Sequence, residues 1–311
     1  MRCQSRSISF LKVLAAAAWA VVLCFPASAS DPCAIEHPLM PPKTELSGQC
    51  PNCGMMRSMW ARTWMTFENS MGKHEACSFH CLADMAIKAG EKPRSVQTAL
   101  YMLPEKMAPA NTAWFVVGSK AKGTMTMNSK IAFPSKEEAE AFSRSCGGKV
   151  HSFPDTFNLA REELPKEKAM IAQKRIKDGK IVEPVDNKDQ CPVCQMYPAR
   201  YPKNRCQVTT SDKTIHHFCS TQCLFQFLKD PKRFVNKDVE PMMIWVTDYP
   251  SGSWISAKTA YYLVGSRIQG PMGHEAFAFD KSSEALSLSR QEGGNVVTFP
   301  EVSIEKISPK E

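Results

Sequence analysis

A cysteine motif that occurs twice is the feature that most constrains the fold of this chain. The motif reads CPNCGMM from Cys50 and CPVCQMY from Cys191, in a sequence of 311 residues. A second cysteine pair, with three residues between its members, follows each motif within HEACSFHC and HHFCSTQC. The second pairs are Cys77 with Cys81, and Cys219 with Cys223. The fold must therefore accommodate two matching groups of four thiols.

The repeat extends well beyond the cysteines. The remaining matches, in the same order along the chain, are WFVVGS with YYLVGS, GTMTMNSKIAF with GPMGHEAFAF, and SCGGKVHSF with QEGGNVVTF. Serial similarity of this kind indicates two copies of one domain. We expect copy one at 45–158 and copy two at 189–308, joined by a charged linker at 159–188. The linker composition favours a solvated helix followed by an extended segment, or a spacer that sets the domain separation.

Each copy alternates short β-forming runs with helical segments. In copy one, Ser78 is an expected N-cap and Gly90 lies where a C-terminal glycine belongs. In copy two, Ser220 is the expected cap, Pro231 ends the helix, and a later helix starts near Ser282. The pattern predicts an α+β class in which small sheets each carry a helix on one face.

The first residues predict export. Residues 1–29 combine a basic start, an apolar run and a small-residue cleavage site in PASAS, which is typical of a secretory signal peptide. The alternative is a membrane anchor, but the run is shorter than the ~20 residues that span a bilayer. Cys24 follows Leu23 and Cys33 follows Pro32, so neither fits a lipoprotein acylation site. We expect a soluble protein in an oxidising compartment, the periplasm of a Gram-negative source.

Charge and cysteine count narrow the function classes. The formal net charge of +8 is not concentrated in a basic run with interleaved aromatics, which argues against nucleic-acid binding. Loss of Cys3 and Cys24 with the signal peptide leaves an odd number of the 13 cysteines, so not all can pair within one chain.

The cysteine spacing predicts a metal site. Two cysteines separated by two residues place both sulfurs on one side of a turn, and cysteines at i and i+4 share one face of a helix. A turn pair that faces a helix pair brings four sulfurs together, which is a strong metal signal. The second pair sits at a helix start, where the dipole favours thiolate.

Three interpretations of each quartet stay open: disulfides, zinc held by four thiolates, and Cu(I). Cβ atoms at i and i+4 of a helix lie ~5–6 Å apart, whereas a relaxed disulfide needs about 3.5–4.5 Å. Cys77 should therefore not close onto Cys81, nor Cys219 onto Cys223, although a turn-to-helix pair could form.

The methionines favour Cu(I), a soft ion that accepts thioether as well as thiolate. Met55 and Met196 each follow the second cysteine of their motif by two residues. Met272 lies in the loop GPMGHE, and Met125 lies at the matching place in copy one. Core filling is the alternative role for any single methionine.

These residues resemble a known family. The run CPVCQM through HHFCSTQCLFQFLKDPKRF resembles the cysteine-rich metal-handling modules of the YHS and TRASH type, and nearly all of 189–300 is similar to the NosL family. Residues 48–155 resemble it more loosely, so the chain looks like a tandem NosL-like protein. Members are regarded as periplasmic Cu(I) chaperones for the copper centre of nitrous oxide reductase. The resemblance implies small ββαβ units and a non-enzymatic role in copper delivery to that acceptor.

The resemblance also implies which residues bind copper, and there the chain departs from the family pattern. It points to Cys191, Cys194, Met196 and Met272 in copy two and to Cys50, Cys53 and Met55 in copy one. Family members commonly read CGM, whereas copy two has Gln195 before its methionine, and copy one reads TMT where copy two reads PMG. We therefore consider a mixed assignment, with structural thiolate quartets and transferable copper on the methionine side.

The other cysteines and histidines carry weaker signals. Cys33, Cys146 and Cys206 lie outside the quartets, and the sequence offers no partner for them. His216 and His217 lie on one predicted strand, so at most one faces the sulfurs. A thiol oxidoreductase would need its CxxC at the start of a long helix. Here short β runs follow each motif, which argues against that class.

We therefore predict a non-enzymatic periplasmic Cu(I) carrier, with zinc in the four-cysteine sites kept open. The alternative is a zinc- or disulfide-stapled interaction module without copper delivery. The candidate metal ligands are Cys50, Cys53, Met55, Cys77, Cys81, Met125, Cys191, Cys194, Met196, Cys219, Cys223 and Met272.

Overall fold

The computed structural model describes residue 33 and residues 41–308. The expected signal peptide lies outside these residues. Within them, no helix has both the length and the apolar character that a membrane crossing requires.

Copy one contains two ββαβ units. The elements of the first are β1 (Met65–Asn69), β2 (Gly72–Ala76), α1 (Phe79–Ala89) and β3 (Arg94–Ala99), followed by the edge strand β4 (Met107–Pro109). The elements of the second are β5 (Trp114–Val117), β6 (Lys130–Phe133), α2 (Lys136–Cys146) and β7 (Lys149–His151). The strand orders are β2-β1-β3-β4 and β6-β5-β7, with antiparallel neighbours throughout.

Copy two repeats this plan. Its first unit consists of β8 (Cys206–Thr210), β9 (Ile215–Phe218), α4 (Thr221–Lys229) and β10 (Pro241–Thr247), with α5 (Pro231–Val235) before β10 and β11 (Trp254–Ser256) at the edge. Its second unit consists of β12 (Tyr261–Val264), β13 (Phe277–Phe279), α6 (Ser282–Glu292) and β14 (Asn295–Thr298). The orders β11-β10-β8-β9 and β13-β12-β14 mirror those of copy one. The predicted α+β class with small ββαβ units is confirmed.

Local signals explain most helix boundaries. The Ser220 side chain accepts a hydrogen bond from Cys223 N at 3.2 Å, so it caps α4 as expected. Gly90 ends α1 in the left-handed conformation with φ 74°. Ser78 occupies the N-cap position of α1, but its side chain makes no capping hydrogen bond.

The helix between the two copies has a buried face. This helix, α3 (Phe153–Lys177), starts inside copy one and runs through the expected boundary at residue 158. Its buried residues include Ala160, Leu164 and Ile171, and it packs against α1. The charged composition favoured a solvated helix, but apolar side chains at helical spacing on one face give α3 a packing surface. The chain ends its second copy with the short helix α7 (Ile304–Ile307).

A disulfide joins Cys33 to Cys146, across a sequence separation of 113 residues. Sequence reasoning assigned neither residue a partner. The bond ties the segment before copy one to the end of α2, where Cys146 is fully buried. Cys206 is a buried free thiol, and within residues 33 and 41–308 it is the one cysteine outside the quartets and the disulfide.

Candidate metal centres

Each Cys-Pro-x-Cys motif forms the same tight loop. Cys50 N–H donates to the Met55 carbonyl at 2.8 Å, and Cys191 N–H donates to the Met196 carbonyl at 2.8 Å. The residue after the second cysteine has a left-handed backbone in both copies, with φ 79° at Gly54 and 68° at Gln195. The departure from CGM therefore changes the residue and leaves the loop geometry intact.

We expect Gln195→Gly to stabilise copy two. A left-handed backbone costs a non-glycine residue roughly 1–2 kcal/mol, and the added chain entropy of glycine cancels roughly 0.5–1 kcal/mol of the gain. A net increase of roughly 0.5–1 kcal/mol in the free energy of unfolding follows. Denaturant unfolding of the metal-free protein measures it.

The matched control is Gly54→Ala in copy one. A Cβ at Gly54 would meet nothing nearer than Gln49 Nε2 at 3.9 Å, so only the backbone conformation is tested. We expect this variant to be destabilised, by ~1 kcal/mol. A gain in stability here, or a loss with Gln195→Gly, would contradict the assignment of strain to this position.

The second cysteine pair brackets the start of a helix in each copy. Cys77 lies between β2 and α1, one residue before the N-cap, and Cys81 lies in the first turn of α1. Cys219 and Cys223 take the same positions at α4. The expected N-caps Ser78 and Ser220 already place the first cysteine of each pair before its helix, so only the second cysteine lies on a helix face. The sulfur of the first cysteine still lies within 4 Å of the second, across an N-cap serine with an extended backbone.

The structure brings the eight thiols together in two groups. In the copy-one quartet (Cys50, Cys53, Cys77 and Cys81) and in the copy-two quartet (Cys191, Cys194, Cys219 and Cys223), all four sulfurs lie within 4.8 Å of one another. None of the eight forms a disulfide.

The sulfur spacings suit a metal ion. The Cys53–Cys77 and Cys77–Cys81 sulfurs are 3.4 and 3.5 Å apart. In copy two, the Cys194–Cys219 and Cys219–Cys223 sulfurs are 3.2 and 3.8 Å apart. Four sulfurs bound to a tetrahedral ion at ~2.3 Å lie about 3.8 Å apart, whereas bonded sulfurs lie about 2.04 Å apart. The spacing fits thiophilic ions in general and does not separate zinc from Cu(I).

One thiol of each quartet is poised to ionise. Hydrogen bonds from Cys219 and Cys223 lower the pKa of Cys191 to about 2, against the effect of burial. Burial raises the pKa of Cys50, but hydrogen bonds from the other three thiols outweigh it, and this pKa lies well below its usual range. Each quartet thus contains a preferred thiolate.

The pKa values of the helix-start thiols shift in the opposite direction, upward. Burial raises the pKa of Cys77, and hydrogen bonding to Cys50 raises the pKa of Cys81. Hydrogen bonding to Cys191 likewise raises the pKa of Cys219 and of Cys223. The cause is common to both quartets, because a buried thiolate disfavours a second negative charge beside it.

These pKa directions predict that metal affinity rises with pH. Thiols with a raised pKa are protonated at neutral pH, so metal binding must displace their protons. Between pH 6 and 8 we expect apparent Cu(I) affinity to increase by about tenfold per pH unit for each proton released. Anaerobic chelator competition at several pH values, with proton release followed by an indicator dye, measures it. A flat profile would contradict the protonated state of the helix-start thiols.

The four candidate methionines are half-buried and pack on the cores that contain the quartets. Met55 and Met125 pack against the copy-one core, and Met196 and Met272 pack against the copy-two core. Met125 has φ 58°, an unusual backbone for a non-glycine residue. Met272 lies between Gly270 and Gly273, whose backbones hydrogen-bond to each other at 2.7 and 3.1 Å. Their assignment as ligands stays a prediction.

No histidine within residues 41–308 joins either sulfur group. His80, between the two helix-start cysteines of copy one, is buried, and its Nδ1 lies 2.7 Å from Glu167 Oε2. His217 is buried and His216 is half-buried, in agreement with the expected alternation along β9. His274 is exposed.

Sequence reasoning missed an acidic residue beside the Met272 loop. Glu275 is 2% exposed and accepts a hydrogen bond from Asn204 Nδ2 at 3.0 Å. Burial raises its pKa to about 7, although hydrogen bonds from Asn204 and the Met272 backbone oppose the shift. The motif GPMGHE contains this glutamate, but nothing in the spacing indicated that its side chain turns inward.

Two buried four-sulfur groups, each on a core that also holds half-buried methionines, define a protein built to bind a thiophilic metal ion. The sequence model of the NosL family matches residues 43–158 and 182–307, and the chain belongs to the NosL family. The tandem resemblance read from the sequence is thereby confirmed.

Named relatives include copper-binding proteins. The chain is 32% identical over 127 residues to the copper-binding lipoprotein NosL of Stutzerimonas stutzeri, covering 39% of this chain and 66% of that protein. It is 28% identical to the copper chaperone NosL of Shewanella denitrificans in its crystal structure, which covers 40% of this chain and 96% of that one, with a TM-score of 0.35. It is 24% identical to apo-NosL from Achromobacter cycloclastes in its solution structure, which covers 34% of this chain and 91% of that one, with a TM-score of 0.28.

Proposed function

We propose that this protein is a periplasmic Cu(I) metallochaperone that serves copper-centre assembly in nitrous oxide reductase, and that it is a carrier rather than an enzyme. The observation that carries the proposal is the convergence of four free thiols in each copy beside half-buried methionines. Thiolate and thioether together suit Cu(I), whereas zinc has little use for thioether. Family membership supports copper as the cargo.

Transfer proceeds by ligand exchange at constant oxidation state. A sulfur or imidazole of the acceptor forms a bond to Cu(I), and a bond from Cu(I) to one chaperone sulfur breaks. A departing thiolate with a high pKa, such as that of Cys223, takes up a proton from solvent, which favours release. Cys194 is the half-buried thiol of its quartet, so it is the sulfur most open to an incoming ligand.

Anaerobic Cu(I) titration against a competing chelator tests the cargo. We expect tight binding that Met272→Ala weakens with folding intact, because a thioether ligand is lost. The matched control is Met242→Ala, since Met242 is 52% exposed and belongs to β10. An equal loss of Cu(I) affinity in both variants, or no loss in either, would contradict a ligand role for Met272.

Incubation of the Cu(I)-loaded protein with metal-free nitrous oxide reductase tests the acceptor. After separation, we expect copper to appear in the reductase. Retention of all copper on the chaperone, under conditions where a small thiol removes it, would exclude this acceptor.

A second candidate function is a zinc-stapled interaction module without a cargo role. The observation that favours it is that three of the four cysteines in each quartet are fully buried within the core clusters. Metal analysis of anaerobically purified protein separates the two functions. Tightly held zinc in both copies, with no Cu(I) uptake, would favour the module.

A further inference from the structure

We infer that the two copies differ in role: the copy-one quartet retains its metal behind the domain interface, and the copy-two quartet exchanges metal with the acceptor. This inference rests on the proposed function and extends it by assigning the site of transfer. Cys53 and Cys194 are both half-buried, so thiol exposure alone does not separate the copies. The difference lies in what surrounds each quartet.

The motif loop of copy one is covered by copy two. Ser256 Oγ donates to the Pro51 carbonyl at 3.4 Å, and Lys258 Nζ donates to Gln49 Oε1 at 3.0 Å. An acceptor that approaches the loop on this side must displace the segment 256–259.

The residue just before the second motif cysteine anchors this cover. Asn52 is 6% exposed, and its Oδ1 accepts hydrogen bonds from Lys88 Nζ at 3.2 Å and Thr259 Oγ1 at 3.4 Å. The matching residue of copy two is Val193, which is half-buried and has no side-chain donor or acceptor. Across residues 41–308, no hydrogen bond or ion pair links the loop 191–196 to copy one. The copy-two loop therefore lacks the polar contacts with the other copy that cover the copy-one loop.

A buried ion pair and a more exposed one strengthen the closure of copy one. Lys88 Nζ lies 3.0 Å from Asp280 Oδ1 in copy two, and Lys168 Nζ lies 3.0 Å from Asp280 Oδ2. Asp84 completes the group, at 3.1 Å from Lys88 and 3.0 Å from Lys168. The side chain of Lys88 is only 7% exposed, so opening the interface would separate charges that are poorly hydrated.

Helix α3 also fixes the methionine loop of copy one. Glu167 on α3 pairs with His80 on α1 at 2.7 Å and accepts a hydrogen bond from Thr126, the neighbour of Met125. Lys130 Nζ donates to Thr126 Oγ1 at 2.9 Å and to Glu163 Oε2 at 2.6 Å. These contacts connect the loop to the helix that contains Cys81.

In copy two, Thr221 Oγ1 on α4 accepts a hydrogen bond from the Ala276 N–H at 3.1 Å, just after the Met272 loop, but no ion pair within residues 41–308 involves that loop. Gln222 takes the position of His80, and its Oε1 is buried without a hydrogen-bond partner. The counterpart of α3 is α7, which spans only Ile304–Ile307. Gly273 in the Met272 loop has φ 89°, a left-handed conformation that glycine adopts without strain. The loop can therefore move without breaking an ion-pair network.

A cation–π contact adds to the closure of copy one. The Arg175 guanidinium on α3 lies 4.6 Å from the centroid of the Trp245 ring in copy two. This contact joins α3 to copy two, so it must break if the interface opens.

Chelator-capture kinetics on single-site forms of the full chain test the inference. One form has Cys50, Cys53, Cys77 and Cys81 changed to serine, and the other has the four copy-two cysteines changed in the same way. With one Cu(I) bound and a strong Cu(I) chelator in excess, we expect release from the copy-two quartet to be at least ~10-fold faster. Equal rates, or faster release from copy one, overturn the inference alone. Absence of Cu(I) binding in both forms overturns the proposed function as well.

A second measurement keeps all cysteines in place. The fully loaded wild-type protein should release copper in a fast and a slow phase. Asp280→Asn weakens both cross-interface ion pairs, so we expect it to accelerate the slow phase and leave the fast phase unchanged. The matched control is Asp186→Asn, which removes an exposed pair with Arg200 and should change neither phase. A single phase in the wild type, or acceleration of the fast phase by Asp280→Asn, contradicts retention behind the interface.

Discussion

Replacement of Cys191 and Cys194 by serine is expected to abolish tight Cu(I) binding at copy two. The two cysteines supply half of the quartet, including the preferred thiolate at Cys191. Serine oxygen is a hard donor and a poor ligand for Cu(I), so we expect the site affinity to fall on the order of 10³-fold or more. Anaerobic chelator competition, with copper stoichiometry counted before and after substitution, measures the loss.

Cys206→Ala is the control for this substitution. Cys206 is buried close to the quartet but lies outside it, so its removal tests the effect of losing a nearby buried thiol that is not a ligand. We expect one Cu(I) to be lost in the double variant and none in the control. The complementary pair, Cys219→Ser with Cys223→Ser, addresses the mixed assignment. Loss of folding with a surviving copper signal would make the helix-start thiols structural.

Removal of the Cys33–Cys146 disulfide is expected to destabilise copy one strongly. The bond closes a loop with a sequence separation of 113 residues. Cross-links of this span stabilise by roughly 3–5 kcal/mol, chiefly by restricting the unfolded chain. We expect Cys33→Ser with Cys146→Ser to lower the free energy of unfolding by about that amount. Denaturant unfolding of the metal-free protein under anaerobic conditions measures it.

Chemical reduction provides the control for the disulfide variant. A reductant should destabilise the wild type to the same extent and have no further effect on the double variant. The unfolding transition of copy two serves as an internal reference, because copy two does not contain the disulfide. Unchanged stability in both cases would mean that other contacts hold the segment around Cys33.

Several parts of the fold and the site follow from local chemistry. The order of short strands and helices, the cap at Ser220 and the left-handed turn at Gly90 each depend on a few neighbouring residues. The grouping of the cysteines was predictable because CxxC turns and helix-start pairs restrict where the sulfurs can lie. The N-cap position of Ser78 was predicted, but its side chain makes no capping hydrogen bond, which a sequence pattern does not determine.

Other features depend on residues far apart in the chain. The partner of Cys33 lies at a sequence separation of 113 residues, and no motif surrounds either cysteine. Glu275, Glu167 and Arg175 acquire their relation to the sites only when helices and loops from different segments pack together. In the sequence alone, these three residues look like ordinary charged surface residues.

The sequence by itself determined that two equivalent sulfur quartets exist, because the repeated cysteine spacing restricts local backbone geometry in the same way in both halves. Only the tertiary structure decided that their surroundings differ. The helix after copy one, α3, is long and has a buried face, whereas α7 in copy two spans only Ile304–Ile307. Copy two hydrogen-bonds to the motif loop of copy one, but within residues 41–308 its own motif loop has no hydrogen bond to copy one. Repetition conserves short-range geometry, but the packing of one copy on the other has no symmetric counterpart.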